Sequence, residues 1–146
     1  MVVMKNKDRI EIEWRKVRRR LQRDGALKAS KDASILIRKG KFPLPISYRL
    51  GKYLLKRGHF EAAGILLDSA RRFGTPNPLM DQMYGKWLWC MNKRDAAFRY
   101  VARKAAFWRA PYLYYLLSTF CSIDGDEGMA DRCLQAAKYL ARKELA

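Results

Sequence analysis

The sequence predicts an all-α protein that is built from repeated pairs of helices. Apolar residues recur at the spacing of one helical face along most of the chain. Glycine, asparagine and proline interrupt these stretches at regular distances, as expected where one helix ends and the next begins. The pattern of large and small residues in 46–70 returns 34 residues later and again after a further 33. We therefore expect a helical-repeat solenoid of about eight helices, because such a pair buries its apolar face only against its neighbours.

Three segments, which start at Leu44, Pro78 and Pro111, share the positions of their large and small residues. Each has a large residue and then a small one at positions seven and eight, an alanine at position twenty and a large residue at position twenty-four. These residues are Leu50, Gly51, Ala63 and Leu67, then Tyr84, Gly85, Ala97 and Val101, and finally Leu117, Ser118, Ala130 and Leu134. The pattern resembles the tetratricopeptide repeat (TPR), a helix pair of about 34 residues. The resemblance implies a right-handed superhelix with a concave groove lined by the first helix of each pair.

The first part of the chain follows the same pattern loosely. Trp14, Val17 and Leu21 occupy apolar positions of the repeat and Gly25 its turn position, but Arg18 stands where a small residue would let two helices touch. We therefore predict a basic N-terminal helix pair that is either a divergent repeat or a cap, followed by three TPR-like repeats. The predicted bounds are 1–43 for the N-terminal pair and 44–77, 78–110 and 111–146 for the repeats.

The helix boundaries follow from the apolar spacing and from residues that stop helices. The first helix is predicted from Asp8, as its candidate cap, to Gly25. The second runs over 26–39, where Gly40 and the prolines of 42–45 end it. Six further helices are predicted at 46–57, 60–73, 78–91, 94–107, 111–123 and 127–144. Prolines at the first turns of two of them and acidic residues near the starts of two others support these boundaries.

The chain is strongly basic. Its 31 lysines and arginines exceed its 14 acidic residues, which gives a formal net charge of +17. An excess of this size creates a long-range field that attracts anions, so we expect an acidic partner. The excess is densest in residues 1–43, which hold 14 basic and five acidic side chains.

The resemblance also implies which residues line the groove, because positions two, five, nine, twelve and thirteen of such repeats commonly contact the ligand. Carried onto this chain, those positions are Tyr48, Lys52, Leu55, Lys56, Leu79, Gln82, Lys86, Trp89, Cys90, Tyr112, Tyr115, Thr119 and Ser122. Lysines and aromatic residues alternate in this set, which suits an acidic peptide with apolar anchors, since ammonium groups steer the peptide and rings bury its anchors. The alternative is that the rings pack inside the superhelix and the lysines are only solvated.

Some members of the family hold the C-terminal carboxylate of heat-shock chaperones with an asparagine at position nine of two successive repeats. Lys52 and Lys86 occupy those positions here, and Leu116 stands where an arginine would be. The resemblance therefore does not extend to that clamp.

A second candidate surface is the basic first helix. Its basic residues are Arg15, Lys16, Arg18, Arg19, Arg20 and Arg23. Four interpretations stay open. In the first, the helix lies on an anionic membrane, and in the second it follows the phosphates of RNA or DNA. In the third it contacts an acidic patch of a protein, and in the fourth it packs through its apolar stripe while its arginines are only solvated.

Aromatic residues form a third candidate site, because they are interleaved with Lys86, Arg103 and Arg109. They are Trp87, Trp89, Phe107, Trp108, Tyr112, Tyr114 and Tyr115. Such rings are able to stack on bases or sugars, but rings at helical spacing more often form a core. We therefore expect packing, with ligand stacking as the alternative.

The last predicted helix carries an apolar edge that no later helix of this sequence covers. The edge consists of Leu134, Ala137, Tyr139, Leu140 and Leu145. We expect that a partner or a second copy of the chain covers it, as in a homodimer, or that the helix folds over its own pair.

We predict no enzymatic activity, no metal and no cofactor. The only histidine, His59, follows a turn glycine, and no Ser, Cys or acidic residue is placed by the sequence to partner it. The acidic stretch 124–128 lacks the downstream ligands of a calcium loop and coincides with a predicted turn. The three cysteines have no CxxC spacing and lie at core-like positions, so we expect buried, reduced thiols in a reducing compartment.

No apolar run approaches the roughly 18–20 residues that a membrane-crossing helix needs. We therefore predict a cytoplasmic location. A basic surface also suits a peripheral position at the inner face of a membrane, within a larger membrane-associated assembly.

Overall fold

The computed structural model describes residues 5–145, and these form eight α-helices and no strand. The helices are α1 (Asn6–Asp24), α2 (Ala26–Arg38), α3 (Leu44–Lys56), α4 (Phe60–Phe73), α5 (Pro78–Cys90), α6 (Arg94–Trp108), α7 (Pro111–Ile123) and α8 (Glu127–Leu145). The predicted all-α class is therefore confirmed. Every predicted helix is present with its ends within three residues of the predicted ones, because local apolar spacing and helix-stopping residues determine both.

The helices form two compact units, Met1–Pro76 with α1–α4 and Asn77–Ala146 with α5–α8. We call them the N-terminal unit and the C-terminal unit. The division lies between Pro76 and Asn77, one residue before the boundary predicted between the repeats 44–77 and 78–110, and each unit contains two of the predicted helix pairs.

In the N-terminal unit, α2 packs chiefly against α4, and α1 packs against both α2 and α3. The contact face of α2 consists of small residues, among them Ala29, Ala33 and Ser34, which are all buried. The Ser34 and Ser69 hydroxyl groups hydrogen-bond to each other between α2 and α4. Small side chains allow two helix backbones to approach closely, and the hydroxyl pair satisfies two polar groups that would otherwise be buried without partners.

In the C-terminal unit, α5 packs against α6, α6 against α7, and α7 against α8. Gly85 of α5 faces Val101 of α6, and a Cβ atom added at Gly85 would lie 2.2 Å from Val101 Cγ2. A larger residue at this position would separate the two helices. This contact gives the physical reason for the small residue at position eight of this repeat.

Three turns within the predicted pairs have the same geometry. In each of them a residue with positive φ follows the first helix, and these residues are Gly58 (+76°), Asn92 (+61°) and Gly125 (+82°). The backbone N–H groups of His59, Lys93 and Asp126 donate to the carbonyl oxygens of Leu54, Leu88 and Cys121 at 2.9–3.0 Å, which is a Schellman arrangement. Asn92 replaces glycine in the second turn because asparagine tolerates the left-handed conformation better than most residues.

The turn between α1 and α2 differs from these three. Gly25 also has a positive φ, but its ψ of 168° is extended, and its N–H donates to the Leu21 carbonyl oxygen. This geometry agrees with the loose sequence match of residues 1–43 to the repeat pattern.

Two expectations for single residues were wrong. Cys90 is exposed, because it is the last residue of α5 and lies outside the core. Cys121 and Cys133 are buried as expected. Lys5, not Asp8, precedes α1 as its cap residue, and Asp8 lies in the first turn. No helix within residues 5–145 is both long and apolar enough to span a bilayer.

Candidate partner-binding surfaces

The arginines of α1 form a cationic surface because the opposite side of this helix is packed. Val17 and Leu21 are buried with exposed fractions of 5% and 9%. Arg15, Arg18 and Arg19 lie together on the exposed side and, with Gln22, line a shallow depression of about 170 Å³. We call Arg15, Arg18 and Arg19 the α1 arginine patch. The apolar spacing of α1 thus determines which arginines reach solvent.

The basic residues of α1 differ in whether they have acidic neighbours. Lys16 Nζ lies 3.2 Å from Glu13 Oε1, and Arg23 donates two hydrogen bonds to the Asp24 carboxylate at 3.0 and 3.1 Å. The hydrogen bonds to Asp24 raise the pKa of Arg23 and lower the pKa of Asp24. By contrast, the three patch arginines and Arg20 form no ion pair with any residue that the structure describes. The patch therefore keeps its full charge toward solvent.

A contact with α3 holds α1 in this orientation. Arg49 Nη1 lies 2.8 Å from Glu11 Oε1, in an ion pair without hydrogen-bond geometry, and its guanidinium carbon lies 5.6 Å from the centre of the Trp14 ring. Arg49 is 38 residues from Glu11 in the sequence, so local patterns gave no signal for this contact.

The predicted groove residues of the N-terminal unit lie on α3. Tyr48, Lys52 and Lys56 are one turn apart, so they share a side of the helix. Lys52 and Lys56 are exposed, whereas Tyr48 is half-buried. Neither lysine forms an ion pair within the described part of the chain.

The predicted groove residues of the C-terminal unit lie on α5 and α7. They are Gln82, Lys86 and Trp89 on α5 and Tyr112, Tyr115 and Thr119 on α7. Lys86, Tyr115 and Thr119 are exposed, and the other three are half-buried. The Thr119 hydroxyl donates to the Tyr115 carbonyl oxygen at 3.0 Å, so it is used within its own helix.

Trp89 is part of the packing between α5 and α7. Its ring stacks on Phe120 with centroids 4.2 Å apart and an interplanar angle of 2°. The Arg94 guanidinium carbon lies 4.7 Å from the Trp89 ring centre, and Arg94 Nη1 also lies 2.8 Å from Asp124 Oδ1. The stack places α5 and α7 side by side, which brings the two groups of predicted residues onto neighbouring helices. The Trp89 ring is therefore already in contact with Phe120 and Arg94.

Most of the predicted aromatic cluster packs against the core of the C-terminal unit. Trp87, Trp89, Trp108, Tyr112 and Tyr114 are partly buried there. Phe107 and Tyr115 are exposed, with fractions of 71% and 42%. The packing interpretation therefore describes five of the seven rings.

Asp81 organises part of this aromatic region, and the sequence did not reveal it. Asp81 Oδ1 accepts a hydrogen bond from the Tyr100 hydroxyl at 2.5 Å, and Oδ2 accepts one from Trp108 Nε1 at 2.7 Å. Lys104 Nζ lies 3.9 Å from the same Oδ2. These contacts join α5 to α6 through a carboxylate whose side chain is only 13% exposed. The only sequence signal was an acidic residue in the first turn of an apolar helix.

The cysteines of α7 and α8 are buried, and an acidic residue between these helices caps α8. Burial, followed by the neighbouring Cys133, raises the pKa of Cys121 to about 11, and burial also raises the pKa of Cys133. Asp126 Oδ1 accepts the N–H of Met129 at 3.0 Å, which is helix capping. Within residues 5–145 no three His, Cys, Asp or Glu side chains are grouped to hold a metal ion.

The apolar edge predicted on the last helix is only partly exposed. Ala137 is buried and Leu134 and Leu140 are half-buried, whereas Tyr139 and Leu145 are exposed. A homodimer through α8 stays a prediction. A scan of the chain against protein-family models finds no match, and no curated protein shows significant similarity to it.

Proposed function

We propose that this chain is a non-enzymatic, TPR-type helical-repeat scaffold that binds an acidic segment of a protein partner on its first helices. The three turns with the same Schellman geometry, spaced by 34 and 33 residues, support the repeat architecture. The close contact of Gly85 with Val101 at the small-residue position of the repeat supports it as well. Under this proposal the chain is cytoplasmic and works as an adaptor within a larger, membrane-associated assembly.

The observation that carries the proposal is the exposure of three lysines on the first helices of the predicted pairs. Lys52, Lys56 and Lys86 are all exposed, and none forms an ion pair within residues 5–145. Unpaired ammonium groups attract carboxylates and raise the association rate of an acidic partner. Tyr115, exposed on α7, supplies a ring for an apolar anchor of that partner.

Trp89 enters this proposal in a different role from the one its repeat position implies. Because its ring stacks on Phe120 and lies under Arg94, we assign it the task of holding α5 beside α7. The partner would then contact the exposed residues on those helices. Lys86 and Tyr115 are the two best placed for such contacts.

The test uses an array of peptides that vary independently in acidic charge and in aromatic or aliphatic content, followed by binding kinetics with the best binder. We expect the full-length protein to select acidic peptides with apolar anchors. Lys52→Glu with Lys86→Glu should slow association at least about tenfold, since steering by charge acts mainly on the association rate.

The matched control changes two exposed lysines of the second helices, Lys31→Glu with Lys138→Glu, which alters the net charge by the same amount. The control should slow association by no more than about threefold, because it changes the general field and neither of the two lysines proposed to contact the partner. Equal effects of the two double variants, or an array without enrichment of acidic peptides, would contradict the proposal.

A further inference from the structure

We propose that the α1 arginine patch binds the phosphate backbone of a nucleic acid, separately from the surface proposed for the acidic protein segment. The patch consists of three exposed guanidinium groups that border one 170 Å³ depression. None of them forms an ion pair with another described residue, so their donors face solvent. A guanidinium group is planar and always charged, and it matches the paired oxygens of a phosphate with two parallel hydrogen bonds.

The charge density of α1 favours a nucleic acid over an acidic polypeptide. Residues 15–20 contain four arginines without an ion pair to another described residue, and this length of helix extends over about 7.5 Å, so there is one unpaired positive charge per about 2 Å. Duplex DNA carries one negative charge per about 1.7 Å along its axis. An extended peptide made only of acidic residues would reach one charge per about 3.3 Å. Of these two polyanions, a nucleic acid matches the spacing more closely.

The packing of α1 argues against insertion of the helix into a membrane. A helix that lies in a bilayer interface buries its apolar face among the lipids. On α1 that face is already used, because Val17 and Leu21 are buried in the N-terminal unit. Trp14 lies under Arg49, and Ile12, with an exposed fraction of 37%, is the single large apolar side chain of α1 that is exposed. Binding through charge to phosphates requires none of these apolar residues.

The proposed contact is independent of nucleotide sequence. Contacts to phosphates position a nucleic acid but do not read its bases, and such binding weakens as salt concentration rises. Gln22 adds an amide beside the arginines, which is able to donate to a phosphate oxygen.

The experiment measures binding of full-length protein to fluorescently labelled RNA and duplex DNA oligonucleotides of mixed sequence, at salt concentrations from about 50 to 200 mM. The patch variant combines Arg15→Gln, Arg18→Gln and Arg19→Gln. The control variant combines Arg99→Gln, Arg132→Gln and Arg142→Gln, three exposed arginines of the C-terminal unit that also lack ion pairs within residues 5–145. Both variants lose the same charge.

We expect the patch variant to bind at least about tenfold more weakly at the lowest salt concentration and to lose about two to three units of the log–log salt slope, which corresponds to three phosphate contacts. The control variant should bind within about threefold of the parent protein, because it changes only the general field. Arg→Lys changes at the same three patch positions should keep most of the salt slope, since the charge is retained. Lys52→Glu with Lys86→Glu provides a separate control, and it should leave the contribution of the patch to the salt slope unchanged.

Three results would overturn the proposal. The first is an equal loss of binding in the patch and control variants, and the second is no binding of the parent protein to either oligonucleotide. The third is binding of the parent protein to phosphatidylserine–phosphatidylcholine vesicles, lost in the patch variant, without binding to the oligonucleotides. Single changes Arg15→Gln and Arg19→Gln repeat the test if the triple variant loses its far-UV circular dichroism, and each should reduce the slope by about one unit.

Discussion

The N-terminal and C-terminal units each contain four helices, yet they differ in charge and in the side chains between their helices. The N-terminal unit, residues 1–76, has 20 lysines and arginines against seven acidic residues, whereas residues 77–146 have 11 against seven. The formal net charges are therefore +13 and +4. The field that attracts anions arises mainly from the N-terminal unit, which also carries the α1 arginine patch.

The two units also differ in the side chains that pack between their helices. The N-terminal unit places small residues of α2 against α4 and joins them through the hydroxyl groups of Ser34 and Ser69. The C-terminal unit places aromatic rings between its helices and joins α5 to α6 through the carboxylate of Asp81. One pattern of helix pairs is thus compatible with two kinds of helix contact. The predicted repeat pattern specifies the size of the residues at these positions but not their chemistry.

The strongest test of this difference compares two acidic residues, one from each unit. Asp81→Ala removes the acceptor of the Tyr100 hydroxyl and of the Trp108 indole N–H. Both hydrogen bonds are part-buried, so their loss should cost about 2–4 kcal/mol in the free energy of unfolding. Chemical denaturation of the full chain by urea, monitored by circular dichroism, measures this loss.

Asp68→Ala in the N-terminal unit is the matched control. The Asp68 carboxylate lies 3.1 Å from Arg71 and 3.3 Å from Arg72, but its side chain is 43% exposed. Ion pairs at such exposed positions contribute about 0–1 kcal/mol, so this variant should remain close to the parent protein in stability. If the two variants lose similar amounts of unfolding free energy, the burial of the Asp81 contacts does not contribute to the stability of the protein.

A second test adds one methyl group to each of two glycines of the C-terminal unit. Gly85→Ala places its Cβ 2.2 Å from Val101 Cγ2, and Val101 is fully buried. The helices α5 and α6 must then separate, and we expect a loss of about 1–3 kcal/mol in thermal or urea unfolding.

Gly128→Ala serves as the control for the intrinsic effect of the methyl group. Gly128 lies in the first turn of α8, and a Cβ there would meet only Asp126 Oδ1 at 3.8 Å. Alanine favours a helix over glycine, so this variant should be unchanged or more stable by up to about 1 kcal/mol. If Gly85→Ala is equally harmless, the close contact of α5 and α6 does not depend on a small residue.

The sequence was sufficient for features that depend on neighbouring residues. The helix ends follow from apolar spacing and from residues such as Gly40 and Pro78, and the turn residues Gly58, Asn92 and Gly125 were recognisable by their distances along the chain. These signals act within one or two helical turns. They therefore do not require knowledge of the tertiary structure.

Contacts between distant residues were not predictable in the same way. Asp81 meets Tyr100 and Trp108, which are 19 and 27 residues away. The resemblance to the repeat predicts that Trp89 contacts a ligand, yet its ring stacks on Phe120. Such contacts also determine which basic residues form ion pairs, because a pair requires an acidic side chain that lies close by in the folded structure. The sequence therefore predicted which helices carry the candidate residues, but it did not predict which of these side chains are exposed and which contact other residues.

The smallest expected effect concerns Asn92, which takes the place of glycine in one of the three turns with the same geometry. Asn92 has a φ of +61° in a turn that otherwise has the same hydrogen bonds as those at Gly58 and Gly125. Asn92→Gly should stabilise the protein by about 0.5 kcal/mol, because glycine adopts this conformation without the strain of a side chain but loses more entropy on folding. Asn92→Ala should destabilise it by about 1 kcal/mol, since alanine lacks the tolerance of asparagine for positive φ. Differential scanning calorimetry of the three proteins should therefore rank them Gly, Asn, Ala in order of decreasing melting temperature. A different order would show that the side chain of Asn92 contributes more to this turn than its backbone conformation does.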